Sequence, residues 1–361
     1  MSQATQAFNP EYDPTGIEGG VDTNLLPWIA IKEAPGMSLK TMRASAETGA
    51  YSVIVKLDAG SKMPSSVYLS GMDMTMLSGQ MTYTQDGAKS TLVPGTWGYI
   101  SANSKVAELV ADKESEFLAN FYGAVAFLSE TQSVDSILTS LDIMRMAHNH
   151  GVTLVPSTMS GCIQERPDAL KNIPEPLAIA GQNAQSIVDP LPKDYVQAVE
   201  FNHPHFVDTK QVPWVILPDL PDIGLKILRV SEDNGYISLI VRQNGVASGH
   251  THIGASDFLV LKGHIGYRAG PPEGYGPGVW FFEPSGARHN ATQRVNDDED
   301  LIYTANVYGP LIFDEGKGTP ISAILSWIEY KELAAAFGVA LIPSSNPNDS
   351  TLLASATLKG Y

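Results

Sequence analysis

Hydrophobic and polar residues alternate with a period of two along most of this chain. The segments YISLIVR (236–242) and FLVLKGHIGY (258–267) show this alternation and are rich in β-branched and aromatic residues. Such a pattern is typical of strands that bury one face. Glycine-rich stretches, including QNGVASG (243–249) and GPPEGYGPG (270–278), separate these segments and indicate turns. The pattern therefore predicts an all-β fold.

Two stretches have helical rather than strand-like spacing. In residues 319–338, Thr319 is placed to cap a helix, Pro320 suits its first position and Gly338 suits its end. A stripe of apolar residues lies between them: Ile321, Ile324, Leu325 and Ile328. Residues 133–151 show the same arrangement, so the sequence predicts one helix over each of these two ranges.

The chain contains two copies of one sequence pattern. VDTNLLPW (21–28) returns as VDTKQVPW (207–214), and ILTSLDIM (137–144) returns as ILSWIEYK (324–331). The separation between matched segments stays nearly constant along the chain, which indicates tandem domains. We therefore predict an N-terminal domain over 1–157, a Pro-rich linker over 158–193 and a C-terminal domain over 194–361.

Composition and charge narrow the classes of partner. The formal net charge of −16 argues against nucleic acid and against anionic membrane surfaces. The N-terminus has no features of a signal peptide, and no apolar run reaches the roughly 20 residues that cross a bilayer. We expect a cytoplasmic protein that binds a small-molecule substrate and forms a homo-oligomer, a dimer. Cys162 is the single cysteine, so any metal must be held by nitrogen and oxygen donors.

One of three His-x-His pairs has the setting of a metal site. The pairs are His148 and His150, His203 and His205, and His250 and His252. Only the last pair lies on a predicted strand, where residues two apart project to the same side. Asp257 follows this pair closely, and His289 comes later in a P-x-G-x-x-H turn. For the other two pairs, structural or surface roles suffice.

These residues resemble the two conserved blocks of the cupin superfamily, G-x5-H-x-H-x3-4-E-x6-G and G-x5-P-x-G-x2-H-x3-N. The resemblance implies two tandem cupin domains, which are jelly-roll β-barrels, each followed by a C-terminal helix. It also implies that His250, His252 and His289 bind one divalent metal ion in the C-terminal domain. Asp257 takes the place of the usual Glu but is one methylene shorter. It is therefore either a direct ligand or a residue that orients a histidine ligand.

The matching segments of the first copy lack these histidines. Ser66 and Tyr68 stand where His250 and His252 stand in the second copy, and Val106 aligns with His289. An aspartate, Asp73, is retained. We therefore expect the metal site only in the C-terminal domain.

VDTKQVPW, the following LKILR and the spacing to GHTH resemble the cupin group of acetylacetone dioxygenase, 2,4'-dihydroxyacetophenone dioxygenase and ChrR-type proteins. This resemblance implies an Fe(II)-dependent dioxygenase that cleaves a carbon–carbon bond in a small diketone or hydroxyketone. Zinc, nickel and manganese are alternative metals. A metal-binding sensor without turnover and an O2-independent isomerase or lyase are alternative functions. Candidate pocket residues come from strands next to the ligands: Arg242, Tyr267, Trp280, Phe282 and Tyr303.

Overall fold

The computed structural model describes most of both copies. The described residues are 20–32, 34–85, 88–106, 108–158, 185–197, 199, 205–218, 220–266, 273–289, 291–314 and 320–344. Within them the chain is built from β-strands and two α-helices, as the sequence pattern predicts. In this part of the chain, neither helix has the length and hydrophobicity that a membrane crossing requires.

The first copy forms strands followed by one helix. Its elements, in chain order, are β1 (Gly20–Asp22), β2 (Ile29–Ala30), β3 (Met37–Ala44), β4 (Tyr51–Leu57), β5 (Lys62–Met63), β6 (Ser66–Tyr68), β7 (Met72–Ser78), β8 (Met81–Gln85), β9 (Ala88–Leu92), β10 (Thr96–Ile100), β11 (Lys105–Val106), β12 (Glu108–Ala111), β13 (Ser115–Phe121), β14 (Val125–Leu128), β15 (Val134–Leu138) and α1 (Ser140–Asn149). A short 3-10 turn, Thr23–Leu25, follows β1.

The linker region and the second copy repeat this order. Their elements are β16 (Gln185–Ile187), β17 (Phe206–Asp208), β18 (Trp214–Ile216), β19 (Ile223–Val230), β20 (Ile237–Gln243), β21 (His250–His252), β22 (Ser256–Lys262), β23 (Ile265–Gly266), β24 (Val279–Glu283), β25 (Arg288–His289), β26 (Gln293–Arg294), β27 (Ile302–Val307), β28 (Leu311–Asp314), β29 (Ile321–Leu325) and α2 (Trp327–Ala336). The predicted linker thus contains a strand, because Ser186 pairs with Val215 in an antiparallel ladder between β16 and β18.

One compact unit, here called the C-terminal barrel, contains residues 211–341 together with β1 and β16. Its larger sheet has the strand order β1-β24-β22-β27-β20-β19-β18-β16, and its smaller sheet has the order β25-β21-β28-β29. Neighbouring strands of both sheets are antiparallel. The two sheets enclose an interior lined largely by apolar side chains of β20, β22 and β27.

The other compact unit, the N-terminal barrel, contains residues 25–154 together with β17. Its largest sheet has the order β17-β10-β7-β13-β4-β3-β2, and a second sheet has the order β11-β6-β14-β15. Large side chains fill its interior. Tyr51 stacks on Phe121 at 4.6 Å between ring centroids, and the alternating residues Met72, Met74 and Met76 of β7 join the same core.

The first strand of each copy completes the sheet of the other unit. Val21 of β1 pairs with Trp280 of β24, and Val207 of β17 pairs with Trp97 of β10. These pairings explain why the compact units differ from the predicted divisions 1–157, 158–193 and 194–361. Backbone pairing, and not continuity along the chain, decides where these short strands belong.

The two helices are shorter than predicted over 133–151 and 319–338. The first part of each range is a strand, β15 or β29, because its residues pair with β14 or β28. Each helix then starts at a capping box, with Thr139 and Ser326 as the N-caps. Thr319 lies outside the described residues. Gly338 and Gly151 follow the helix ends with φ of +61° and +68°, as expected for glycines that terminate helices.

Candidate metal centre

Strand β21 directs two histidines to one side of the smaller sheet of the C-terminal barrel. His250 and His252 are separated by Thr251, so both side chains project to the same face. Their ring centroids are 4.8 Å apart, and the ring of His250 also packs against Phe313 of β28. His252 is buried, whereas His250 is partly exposed. The strand therefore brings together the pair that the sequence predicted as ligands.

A backbone contact indicates which nitrogen of His250 is available to a metal. The Nδ1 atom lies 2.9 Å from the carbonyl oxygen of Ser248. A carbonyl oxygen only accepts hydrogen bonds, so Nδ1 carries the hydrogen in this contact. The Nε2 atom then keeps its lone pair, which is the form that a histidine ligand requires.

A carboxylate that the sequence analysis did not select lies beside His252. The Oε2 atom of Glu283 is 2.9 Å from Nε2 of His252, and both side chains are buried. Ser256 donates a hydrogen bond to the same Oε2 at 3.0 Å, and the two residues are register partners on β22 and β24. Glu283 directly precedes Pro284 of the P-x-G-x-x-H turn, so its place in that motif is the sequence feature that could have identified it.

Asp257 does not reach this group. It lies one residue after Ser256 on β22, so its side chain projects to the opposite face of the sheet. There, Asn306 donates to its Oδ1 at 3.3 Å, and Tyr308 donates to its Oδ2. Asp257 was expected either to bind the metal directly or to orient a histidine ligand; strand alternation turns its side chain away from the histidine pair, and Glu283 is the carboxylate that faces this pair.

The N-terminal barrel contains the same aspartate network. Asn120 donates to Oδ1 of Asp73 at 3.0 Å, and Tyr122 donates to Oδ2 at 2.5 Å. These residues match Asn306, Tyr308 and Asp257 in the repeat. Because the same network occurs in a barrel without the histidine pair, its formation does not depend on those histidines.

The backbone of His289 lies beside that of His250 because their two strands are paired. It lies on β25 and is the register partner of His250. Its side chain lies outside the described part of the structure. Among the side chains that are described, no cluster of three His, Cys, Asp or Glu residues could hold a metal ion.

The described donors nevertheless fit part of a metal coordination sphere. Two ligands that each lie about 2.1 Å from one ion at a right angle are about 3 Å apart. The 2.9 Å separation of His252 and Glu283 matches that spacing. Imidazole and carboxylate donors together suit iron, zinc, nickel and manganese. His252 and Glu283 therefore supply two donors at a spacing that one divalent ion accepts, and the backbone of β25 pairs His289 with His250.

A cavity of about 390 Å³ opens from the histidine pair into the C-terminal barrel. Its wall is mostly aliphatic and aromatic. The polar residues of the lining are Ser248, His250, His252, Ser256, Glu283, Thr292, Tyr303, Ser322 and Tyr330. The described lining contains no lysine or arginine. This size and composition suit a small and largely apolar ligand.

One predicted pocket residue lines this cavity and three do not. Tyr303 contributes to the wall. Trp280 and Phe282 project from the other face of β24 and stack on each other with centroids 6.2 Å apart. Arg242 packs over the ring of Trp214 at 4.7 Å and binds Asp189. Strand alternation explains why these three side chains do not line the cavity. The residues that point into the barrel are their neighbours, Phe281 and Glu283 on β24 and Val241 on β20. Tyr267 lies outside the described residues.

Tyr303 belongs to a buried polar chain. Its hydroxyl donates to Oε1 of Gln243 at 2.8 Å, and Nε2 of Gln243 donates to the carbonyl oxygen of Thr292 at 2.8 Å. Burial raises the pKa of Tyr303 well above its ordinary value, and the nearby Glu283 carboxylate adds to this effect. Tyr303 therefore stays protonated across the physiological range.

The N-terminal barrel has the matching strands but lacks the histidines and the glutamate of the candidate metal centre. Val106 pairs with Ser66 as His289 pairs with His250, which bears out the alignment of the two copies. Tyr68 takes the place of His252 and stacks near Phe121 in the core. Met72 and Ile100 replace Ser256 and Glu283 as register partners. In the N-terminal barrel, the positions of His250, His252, Ser256, Glu283 and His289 are therefore occupied by Ser66, Tyr68, Met72, Ile100 and Val106, in that order.

The described residues of the other two histidine pairs, His148, His150 and His205, have surroundings unlike those of His250 and His252. His148 and His150 lie at the exposed end of α1, where Nδ1 of His150 contacts the carbonyl oxygen of Met146 at 2.9 Å. His205 is buried in the N-terminal barrel and packs against the edge of Tyr83. His203 lies outside the described residues.

Two antiparallel jelly-roll barrels in tandem define this chain as a bicupin. The family described as the ChrR cupin-like domain matches residues 18–126 and 202–308, one match in each copy. These matches cover more than half of the chain, so the protein belongs to the ChrR cupin-like domain family. Among proteins with curated functions, none matches the sequence.

Comparison with solved structures gave matches at low sequence identity. A protein from Nostoc punctiforme PCC 73102, provisionally described as a dioxygenase, is 12% identical, with a TM-score of 0.50 over 85% of each chain. Acetylacetone dioxygenase from Acinetobacter johnsonii is 17% identical over 36% of this chain and 89% of its own, with a TM-score of 0.33. A variant of oxalate decarboxylase from Bacillus subtilis is 14% identical over 91% and 87%, with a TM-score of 0.46.

Proposed function

We propose that the C-terminal barrel is the catalytic unit of a metal-dependent dioxygenase that cleaves a carbon–carbon bond in a small diketone or hydroxyketone. The observation that supports this proposal best is the position of the buried His252–Glu283 pair, beside His250, in the wall of a mainly apolar cavity. The N-terminal barrel, whose matching residues are apolar or uncharged, has a structural role.

His250, His252 and His289 would hold the metal, and Glu283 would provide the fourth donor. Iron(II) is the metal we favour. When bound, it would supply Lewis acidity toward a ketone oxygen and the redox chemistry that O2 requires. Ser256 fixes Glu283 by donating a hydrogen bond to it, so the carboxylate is held in place before any ligand arrives.

The cavity wall selects the charge of the substrate. Glu283 is the one carboxylate in the described lining, and no lysine or arginine accompanies it there. Away from the proposed metal, an anionic group on the substrate would find no lysine or arginine in the described lining to offset its charge. A neutral ketone avoids this cost, and the aliphatic walls bury its carbon skeleton.

Oxygen uptake distinguishes this proposal from the other two functions that the family resemblance leaves open. The protein would be loaded anaerobically with Fe(II) and mixed with a panel of neutral diketones and hydroxyketones in an oxygen electrode cell. We expect O2 to be consumed together with one of these ketones. His250→Ala should abolish the uptake, and Ser66→Ala, the matched change in the N-terminal barrel, should not.

Two other results would reject a dioxygenase. Loss of a ketone without O2 uptake would indicate an isomerase or lyase. A protein that retains iron but consumes neither O2 nor any ketone of the panel would indicate a metal-binding sensor.

A further inference from the structure

Tyr330 presents an unused hydroxyl to the cavity. The residue lies on α2, lines the cavity and is only 5% exposed. Its hydroxyl has no hydrogen-bond partner among the described residues. Burial, followed by the nearby Glu329 carboxylate, raises the pKa of Tyr330 far above its ordinary value, so the proton is retained. This hydroxyl is not among the fully enclosed polar atoms that lack a partner, which is consistent with its lying at the open cavity, where a donor suits a ligand.

Tyr303 lines the same cavity with the opposite hydrogen-bonding capacity. Its proton is committed to Oε1 of Gln243, which is itself anchored to Thr292. The phenol oxygen therefore keeps only its capacity to accept. The two phenols line the same cavity, and Tyr330 is one of the neighbours that raise the pKa of Tyr303. One free donor and one free acceptor thus occupy neighbouring parts of the wall.

The N-terminal barrel shows that the fold does not require these hydroxyls. Ile143 stands at the position of Tyr330 in the repeat, and Phe117 stands at that of Tyr303. Both residues pack in the hydrophobic core of that barrel. Leu57 likewise replaces Gln243, the acceptor for Tyr303. Apolar residues therefore suffice for packing at all three positions, and the polar groups belong to the barrel that has the cavity.

We infer that Tyr330 and Tyr303 form a second polar subsite, which binds an uncharged hydroxyl of the substrate. The ligand hydroxyl accepts a hydrogen bond from Tyr330 and donates one to Tyr303. This inference rests on the proposed function and makes its substrate class more specific, a neutral ketone that also carries a hydroxyl group. The ketone faces His252 and Glu283, and the hydroxyl faces the two phenols.

A pair of probes that differ by one hydroxyl tests the subsite. The affinities of 4-phenyl-2-butanone and 4-(4-hydroxyphenyl)-2-butanone would be measured by titration calorimetry on the full chain, both metal-free and loaded with Zn(II). We expect the wild-type protein to bind the hydroxylated probe about fivefold to tenfold more tightly, the range of one buried hydrogen bond. Tyr330→Phe should remove this preference without changing the affinity for the phenyl probe.

A matched variant controls for the loss of a phenol elsewhere in the same barrel. Tyr236 packs against Tyr308 and does not line the cavity, so Tyr236→Phe should keep the preference. Melting temperatures would verify that all variants are folded. Because the Tyr330→Phe substitution removes no hydrogen bond to a described residue, this variant should have the same melting temperature as the wild type.

Three outcomes would overturn the subsite: no preference in the wild type, the same preference in Tyr330→Phe, or no binding of either probe. The proposed function can fail separately. If the protein retains no metal, the metal-dependent function is rejected, whereas the preference for the hydroxylated probe is still measured in the metal-free form.

Discussion

Asp257 and Glu283 lie on adjacent strands of the C-terminal barrel, and their environments give them different roles. Asp257 receives hydrogen bonds from Asn306 and Tyr308 on one face of the larger sheet. Glu283 lies on the other face, 2.9 Å from His252. A charged group is retained in a protein interior when it is paired or fully hydrogen-bonded, and both carboxylates meet this condition in different ways.

We predict that Asp257→Asn destabilises the protein without releasing the metal. The amide loses one of the two acceptor atoms that bind Asn306 and Tyr308, which should lower the free energy of unfolding by about 1–3 kcal/mol. Asp73→Asn is the matched change in the N-terminal barrel and should cost a similar amount. Denaturant unfolding and elemental analysis would measure both effects, and loss of metal in Asp257→Asn would show that this residue is a ligand after all.

In contrast to Asp257→Asn, Glu283→Gln should weaken metal binding. The amide keeps the shape of the side chain but removes the charge beside His252, so we expect the metal affinity to fall by about 10- to 100-fold. Competition with a chelator of known affinity would measure the change, with Asp257→Asn as the control. An unchanged affinity would exclude Glu283 from the metal centre.

The sequence was sufficient to predict that the two histidines lie together, but not which carboxylate faces them. His250 and His252 are adjacent on one strand, so a period of two places them together without further information. Whether Asp257 or Glu283 joins them depends on the register between β22 and β24, which pairs Ser256 with Glu283. That register arises from contacts between distant parts of the chain.

Each barrel continues from its last strand into its helix without a loop, and the capping residue marks the boundary. Ser326 separates β29 from α2, and its backbone N–H donates to Glu329 at 2.6 Å. Thr139 and Asp142 make the equivalent contact between β15 and α1 at 2.9 Å. Because Tyr330 is the residue after Glu329, this cap fixes the start of the helix that carries the second polar subsite.

We predict that Ser326→Ala and Thr139→Ala each lower the free energy of unfolding by about 0.5–2 kcal/mol. Each change removes the side-chain acceptor for the first free backbone N–H groups of its helix. Denaturant unfolding would measure the cost. Only Ser326→Ala should also weaken binding of the hydroxylated probe. Equal effects of both variants on probe binding would contradict the link between this cap and the cavity.

The sequence predicted the ends of both helices correctly. It placed their starts too early, at residues 133 and 319, whereas the helices begin after Thr139 and Ser326. Gly151 and Gly338 are strong local signals for a helix end. Ile321, Ile324 and Leu325 fit a helical stripe as well as a short strand, and pairing with β28 decides in favour of the strand. The spacing of Ser326 and Glu329 was the local feature that indicates the true start.

At the scale of the whole molecule, the repeated VDT segments join strands that are far apart in the sequence. The hydroxyl of Thr23 donates to the carbonyl oxygen of Gly278, and that of Thr209 donates to the carbonyl oxygen of Gly95, each at 2.6 Å. Repetition of VDT and PGxW was visible in the sequence. Their partnership was not, because local patterns do not encode which distant edge a strand will join.

Removing residues 1–24 should therefore affect the C-terminal barrel. Without β1, strand β24 becomes an open edge, and we expect backbone amides of Val279–Glu283 to exchange with deuterium roughly tenfold faster. Amides of β4 and β13, which pair with each other in the N-terminal barrel, should keep their protection. Unchanged exchange in β24 would contradict the strand pairing.

The central claim is that one barrel binds a metal and the other does not. Elemental analysis of the wild-type protein, His250→Ala and Ser66→Ala, each produced without added metal and verified as folded, tests it most directly. We predict about one divalent ion per chain in the wild type and in Ser66→Ala, and a large loss in His250→Ala. An unchanged metal content in His250→Ala would contradict the account.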